Sequence, residues 1–228
     1  MNYFRYFKFT AHNLKTQLMT LVASEQVNSQ ERHKLIAILL MEQLNHMEVY
    51  TMSKQRKTVF YGAISLDGYL ARKNHSLDWL IGTEGENDTS YPEFYETVDT
   101  LIMGRKTYEQ ILLLSPEEFP YKGKKCYVFS RTLTGSTEFV TFVNSDLADF
   151  VKSLTSQTGK RIWIVGGGEV LKPLLEEKLV DEFIIQLTPV IIGNGIPLFV
   201  PGDYENKLLL KEVKQYHQFV EVHYEQIE

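Results

Sequence analysis

The sequence predicts an α/β domain whose sheet is mixed but mostly parallel and ends in an antiparallel hairpin. From residue 58 onward, short runs rich in β-branched and aromatic residues are separated by turn residues. Segments with helical spacing alternate with the central runs, which is typical of parallel strands joined by crossover helices. The last two runs have no helical segment between them, so we expect them to pair as an antiparallel hairpin.

The predicted strands and helices follow one another through the second part of the chain. Strands are expected at residues 58–65, 100–103, 125–130, 138–143, 161–165, 182–188, 208–213 and 218–226. Helices of about three turns are expected at residues 91–99, 106–114, 146–156 and 169–179. Because these helices alternate with the central strands, they predict a layered domain rather than a helical bundle.

Residues 1–51 differ in composition from the rest, since they contain neither Gly nor Pro. Apolar residues within 29–48 recur at helical spacing, which predicts one amphipathic helix packed on the main domain or on a partner. The alternative is that translation begins at Met52, because the sequence from there leads straight into the first strand. We therefore interpret residues 1–51 as a helical or poorly ordered extension and 52–228 as the functional domain.

The composition excludes several classes of function. The formal net charge is −5, which lacks the basic surplus that a nucleic-acid binder needs. Only one cysteine, Cys126, is present, so an intrachain disulfide and a cysteine-based zinc site are excluded, and we expect no metal. No apolar run approaches the roughly 20 residues of a membrane-spanning helix, and no secretory signal is evident. We expect no membrane or nucleic-acid partner and a cytoplasmic location.

The strongest local signal is a buried-strand pattern at 161–165 that ends in Gly166, Gly167 and Gly168 and runs into a helix. Glycines let a phosphate approach the backbone, and the first helical turn presents unpaired N–H groups. The alternative is a simple strand-to-helix turn. The pattern is not the dinucleotide fingerprint, since Leu171 occupies the position of its third glycine.

Two further predicted strands end in groups that suit a phosphate. One is followed by residues 104–107, which combine a glycine, two cations and a hydroxyl at a helix start, and the other ends at Ser130 and Arg131. Each alone is compatible with solvated surface charge. Ligands bind outside the carboxyl ends of parallel strands, so three such ends together favour a ligand site.

Five segments, in this order, resemble the dihydrofolate reductase superfamily: Ser65-Leu-Asp67-Gly68-Tyr69, Met103-Gly-Arg-Lys-Thr107, Val128-Phe-Ser130-Arg131, Val165-Gly-Gly-Gly168 and Pro189-Val-Ile-Ile-Gly193-x-Gly195-Ile-Pro197-Leu-Phe199. The first and last are similar to the reductase domain of bacterial riboflavin biosynthesis and its stand-alone relatives. The resemblance covers about residues 57–228, and no deaminase zinc motif precedes it. It implies a dihydrofolate reductase-like three-layer fold and NADPH as the cofactor.

The resemblance also implies where the cofactor binds. The pyrophosphate falls to two helix starts, with Gly104, Arg105, Lys106 and Thr107 at one and Gly167, Gly168 and Glu169 at the other. Val165, Gly166 and Val170 beside the second start are expected to bind the cofactor as well. The adenosine 2′-phosphate falls to Ser130 and Arg131, with Arg105 or Lys106 nearby. The nicotinamide is expected against Ala63, Ile64, Leu70 and Ala71.

The substrate side of the resemblance is defined by fewer residues. An acid on the first helix grips the substrate in dihydrofolate reductases, and Asp88 and Glu93 are the nearest equivalents. Asp67 is the first candidate for polarisation or proton relay and Asp88 the second, although Asp67 is equally compatible with a turn residue that caps the backbone. Trp79 is expected beside the substrate or, alternatively, in the core. Lys124 stands where those enzymes have a folate-binding arginine and loses its bidentate fork.

We therefore expect an NADPH-dependent oxidoreductase that transfers hydride to a pteridine- or aminopyrimidine-like heterocycle, most like the 5-amino-6-(5-phosphoribosylamino)uracil reductase of riboflavin biosynthesis. The alternatives are dihydrofolate reductase activity and a non-catalytic NADPH-binding protein, since fold does not determine function. The expected partner is a small-molecule substrate, and the expected assembly is a homodimer.

Overall fold

The computed structural model describes residues 56–85 and 88–227, so the expectations for residues 1–51 lie outside the described residues. The strands are β1 Thr58–Ile64, β2 Tyr69–Ala71, β3 Val98–Gly104, β4 Lys125–Phe129, β5 Gly135–Ser136, β6 Val140–Val143, β7 Arg161–Gly166, β8 Glu182–Leu187, β9 Ile196–Pro197, β10 Lys207–Tyr216 and β11 Phe219–Ile227. The helices are α1 Tyr91–Glu96, α2 Arg105–Leu114, α3 Leu147–Thr155 and α4 Gly168–Glu176.

Nine strands form one sheet in the order β10-β11-β8-β1-β7-β3-β4-β6-β5. The six strands from β8 to β6 in this order are parallel, whereas β11 runs antiparallel to β8 and forms a hairpin with β10. Strands β2 and β9 form a separate two-stranded antiparallel sheet. The predicted mixed, mostly parallel sheet and the C-terminal hairpin are therefore confirmed.

Helices cover both faces of the sheet and give three layers. On one face, α3 and α4 contribute Val151, Leu154, Leu171 and Leu174 to a core that they share with β1, β3, β7 and β8. On the other, which we call the α1 side, the core contains Val59, Tyr61, Phe94, Val98, Leu101, Met103, Trp163 and Ile184. Within the described ranges, none of the helices combines the length and the apolar character needed to cross a bilayer.

The first helix is shorter than the predicted range of 91–99, because it ends at Glu96 and Val98 begins β3. Thr97 closes the helix, since both its backbone N–H and its hydroxyl donate to the Phe94 carbonyl oxygen. Val98 is then fully buried. The short strands β2, β5 and β9 were not predicted, because two or three residues cannot establish an alternating pattern.

An ion-pair network ties the amino ends of β1 and β8 to the hairpin. The Lys57 ammonium lies 2.8 Å from the buried Glu182 carboxylate and 2.7 Å from Glu225, and Lys211 lies 3.0 Å from Glu225. Hydrogen bonds from Lys57 and then Lys211 lower the pKa of Glu225 from 4.5 to about 2. The ionised form of Glu225 is therefore favoured in the folded chain.

We expect Glu225→Gln to make the free energy of unfolding depend less on pH in the acid range. A carboxyl whose pKa is lowered by folding stabilises the fold above its unfolded pKa, and this contribution is lost as pH falls from 4.5 towards about 2. Urea unfolding at a series of pH values measures the effect. Glu205→Gln, at an exposed glutamate 3.9 Å from Lys207, is the control. An unchanged slope in the Glu225 variant would contradict the prediction.

Candidate active site

The three predicted phosphate-type strand ends lie side by side. Strands β7, β3 and β4 are consecutive in the sheet, and Met103 is in register with Gly166 while Gly104 is in register with Phe129. Their carboxyl ends therefore meet at one edge, where Gly104 precedes α2 and Gly167 precedes α4. Ser130 follows β4 at the same edge. Each of these three segments was predicted from its own local sequence pattern, and the strand order of the sheet makes them neighbours.

The three glycines of the β7–α4 turn lack a side chain for different structural reasons. Gly166 has a φ of +122°, which favours glycine, and the peptide bond between Gly166 and Gly167 is cis. A Cβ on Gly168 would lie 2.5 Å from the Pro197 carbonyl oxygen, so close backbone packing requires glycine there. A Cβ on Gly167 would have only Thr107 Oγ1 near it, at 4.0 Å. Gly167 thus borders an open space at the start of α2.

Two residues beside this turn serve different purposes. Val170 is buried, and its Cγ2 would lie 3.1 Å from a Cβ on Gly104, so it packs the two helix starts together. Val165 is half-buried against the α1-side core. Glu169 is exposed in the first turn of α4. A carboxylate there is stabilised by the positive end of the helix dipole, but it repels a phosphate.

The cations at this edge are accessible. Arg105, Lys106 and Arg131 are exposed, and Arg105 Nη1 lies 3.2 Å from Glu109 one helical turn away. The Ser130 hydroxyl is buried and accepts hydrogen bonds from the N–H groups of Thr132 at 3.2 Å and Leu133 at 2.9 Å. Within the described ranges the Ser130 hydroxyl donates no side-chain hydrogen bond, so its proton can be donated to an acceptor such as a phosphate oxygen.

The four residues expected around the nicotinamide do not share one face. Ala63 is half-buried and lies on the α1 side of β1, as does Tyr61 two residues earlier. Ile64 and Leu70 pack into the opposite core, and Ala71 is buried in β2. Ala63 is therefore the one whose small side chain faces the α1 side next to the glycine turn.

The Asp67 carboxylate joins two loops. Its Oδ1 accepts hydrogen bonds from the Ser65 hydroxyl at 2.7 Å and from the Ile192 N–H at 3.2 Å, and its Oδ2 accepts from the Gly193 N–H at 2.7 Å. The bond from Ser65, followed by those from the two backbone N–H groups, lowers the pKa of Asp67. The loop after β1 is thus tied to the loop after β8 by an ionised carboxylate.

The other three expected residues lie in different places. Asp88 is exposed and lies 3.1 Å from His217 at the turn of the β10–β11 hairpin. Trp79 is buried in the loop between β2 and α1, and its Nε1 has no hydrogen-bond partner within the described chain. Lys124 precedes β4 and donates to the carbonyl oxygens of Tyr95 and Val98.

These contacts give Lys124 a structural role, and its expected role in substrate binding stays a prediction. Parallel strands begin at the edge opposite to their carboxyl ends, so Lys124 lies across the sheet from the glycine turns. Its ammonium holds the end of α1 to the start of β3 and lies 4.2 Å from the centre of the Tyr95 ring. These contacts give it a structural reason to be a cation.

A buried polar network on the α1 side was not predicted from the sequence. Gln186 Nε2 donates to the Tyr61 hydroxyl oxygen at 2.8 Å and to Glu221 Oε2 at 3.0 Å. The Ser90 hydroxyl donates to the same Glu221 oxygen at 2.7 Å. Alternation along the last strand could have indicated this burial. Glu221 lies two residues after the buried Phe219, so both side chains face the same, inward side of the strand.

Comparisons with known proteins place the chain in a family. The model of the RibD C-terminal domain matches residues 56–222. The uncharacterized Bacillus subtilis protein YwjB is 48% identical over 175 residues, which cover 75% of this chain and 98% of YwjB. A structure from Shewanella sp. PV-4, assigned to riboflavin biosynthesis, is 29% identical with a TM-score of 0.67 and is matched over 75% of this chain and 99% of its own.

A dihydrofolate reductase supports the fold alone. The enzyme from Enterococcus faecalis, in complex with NADP(H) and RAB-propyl, has a TM-score of 0.53 at 16% identity, over 76% of this chain and 98% of its own. The expected dihydrofolate reductase-like three-layer fold is thus confirmed.

Proposed function

Because the chain belongs to the RibD C-terminal domain family, we propose that it is an NADPH-dependent reductase acting on a pteridine- or aminopyrimidine-like heterocycle. The observation that carries the proposal is the open space beside Gly167, between the starts of α2 and α4. Two helix N-termini present unpaired N–H groups there, and a phosphate needs such donors. NADPH, when bound, supplies the hydride from C4 of its nicotinamide ring.

The residues present fit such a cofactor. Backbone N–H groups at the starts of α2 and α4 would hold the pyrophosphate, because Gly167 has no side chain to fill the approach. Arg105, Lys106 and Arg131 would hold the 2′-phosphate, since all three are exposed at neighbouring strand ends. The exposed Glu169 would sit at the rim and disfavour excess negative charge.

The chain's own residues would orient the reactants and exclude water. The small side chain of Ala63 leaves room for a ring against β1, on the side of the sheet that carries Tyr61 and Gln186. The buried Trp79 Nε1–H has no hydrogen-bond acceptor among the described residues, and such a group gains a hydrogen bond when a ligand acceptor reaches it. Asp67 is held ionised by three donors, so we assign the proton of the reduced nitrogen to a water instead.

Incubation of the purified protein with NADPH and a panel of pteridines, dihydrofolate and ribosylated aminopyrimidines tests the proposal. Loss of the absorbance of reduced cofactor with one heterocycle identifies the acceptor, and turnover of dihydrofolate alone would favour the folate alternative. Tight NADPH binding without turnover across the panel would favour a non-catalytic binding protein. The homodimer and the cytoplasmic location stay predictions.

We expect the chain to bind NADPH at least about tenfold more tightly than NADH. Each charge-assisted contact to the 2′-phosphate contributes ~1.5–3 kcal/mol, and about 1.4 kcal/mol corresponds to tenfold. Calorimetric dissociation constants for both cofactors measure the preference. Arg131→Gln should reduce it, whereas Lys160→Gln, at the opposite edge of the sheet where the ammonium bonds the Glu96 carbonyl, should not. Equal constants for the two cofactors would contradict the assignment.

A further inference from the structure

Three residues form a row across the α1 side of the sheet. Ala63 in β1 is in register with Gln186 in β8, and Gln186 is in register with Glu221 in β11. Strand β7, which carries the glycine turn, flanks β1 on the other side. Neighbouring strands lie about 4.8 Å apart, so Glu221 is roughly 10 Å from Ala63. The row thus runs from the proposed cofactor half of the edge to a buried acid.

The acid is 5% exposed, and its hydrogen-bond donors in the described part of the chain are neutral side chains. Oε2 accepts from Ser90 and Gln186, whereas no hydrogen bond reaches Oε1 from residues 56–85 or 88–227. Lys214 is its register partner on the hairpin, but that ammonium pairs with Glu212 at 3.0 Å. Each hydrogen bond that a buried carboxylate accepts stabilises its charge. Oε1 of Glu221 can therefore accept further hydrogen bonds from the donors of a ligand.

Aromatic side chains surround the hydrogen-bond network of Glu221. The Tyr61 ring stacks on Phe94 with centroids 4.3 Å apart, and Tyr91 lies 5.9 Å from Tyr61. Burial raises the pKa of Tyr61 to about 12, so its hydroxyl keeps its proton at neutral pH. Gln186 donates to both Tyr61 and Glu221 and fixes the direction of the carboxylate. A planar ring beside such a wall gains stacking as well as hydrogen bonds.

We propose that Glu221 is the specificity-determining residue of the substrate side, where its carboxylate accepts hydrogen bonds from ring N–H and amino groups of a heterocycle placed against Ala63. This inference rests on the proposed function for the position of the substrate. A site built around a buried acceptor rejects a ligand that lacks the matching donors, because the acceptor is then left unpaired. The substrate therefore presents adjacent N–H donors on one edge.

The test uses two probes of equal size. In 2,4-diaminopyrimidine the two substituents are donors, whereas in 2,4-dimethylpyrimidine they are not. Calorimetry on the full chain should show wild-type binding at least about tenfold tighter for the diamino probe, the value of one charge-assisted hydrogen bond. Glu221→Gln should reduce this preference below about threefold. Glu225→Gln, on the same strand and at its far end, should keep it.

Two further variants keep the test decisive. Ser90→Ala leaves the carboxylate and its bond to Gln186, so the preference should remain. Glu221→Asp keeps the charge and withdraws it by one methylene, so the preference should fall even if the Gln variant does not fold. A preference retained in both Glu221 variants, or absent from the wild type, would overturn the inference. If the wild-type chain does not bind NADPH but still prefers the diamino probe in a way that depends on Glu221, the proposed function alone is overturned.

Discussion

A chain carrying Gly167→Val should fold and bind NADPH at least about 100-fold more weakly than the wild type. The backbone at Gly167 has a φ of −85°, which valine adopts, and the nearest atom to a Cβ there is Thr107 Oγ1 at 4.0 Å. The branched side chain would fill the space between the two helix starts. Loss of two phosphate contacts of ~1.5–3 kcal/mol each corresponds to at least that factor.

Gly168→Ala is the matched comparison for this prediction. A Cβ there would lie 2.5 Å from one carbonyl oxygen and 2.9 Å from the next, those of Pro197 and Leu198, so the backbone must move and stability should fall. Thermal unfolding followed by circular dichroism, together with calorimetric NADPH binding, separates the two effects. A folded Gly167→Val chain with the wild-type dissociation constant would place the phosphate elsewhere.

The fold was predictable where the pattern is local. Buried strands such as β7 and β8 are nearly continuous apolar runs. The glycine turn after β7 follows its strand directly in the sequence. The phosphate-type ends could be predicted for the same reason, because a strand, a glycine and a helix start are adjacent in the chain. Strands β2 and β9 escaped prediction, since they pair across more than 120 residues and contain three and two residues.

The substrate side depended on contacts that sequence reasoning cannot supply. Asp67 receives its donors from Ile192 and Gly193, which are 125 and 126 residues away. The position of Lys124 depended on which edge of the sheet the start of β4 occupies. Glu221 joins the row beside Ala63 only through the register of two strand pairs. Each of these requires knowledge of the strand order, which the periodicity of a single strand does not contain.

The last expected result concerns Asp67→Asn, which should slow single-turnover hydride transfer by about 100-fold while NADPH affinity stays within about threefold. The carboxylate clasps the loop after β1 to the loop after β8, beside the strand end that carries Ala63. An amide keeps one acceptor oxygen and turns a donor towards one of the N–H groups, so the clasp opens. Misplacement of a reactant by about 1 Å costs on the order of 10² in rate.

The pH dependence of the wild-type rate separates this clasp from a proton relay. Because hydrogen bonds lower the pKa of Asp67 below 3.8, its carboxylate is ionised at neutral pH, and the clasp is complete there and lost only as pH falls through the lowered value. A clasp therefore predicts a flat rate in the neutral range and a decrease in acid. A relay would need the protonated acid, so its rate would rise as pH falls. Ser65→Ala removes one donor and keeps the Asp67 carboxylate, so a clasp predicts a smaller loss of rate in this variant than in Asp67→Asn. An unchanged rate in Ser65→Ala, together with a wild-type rate that rises as pH falls, would assign Asp67 to proton transfer.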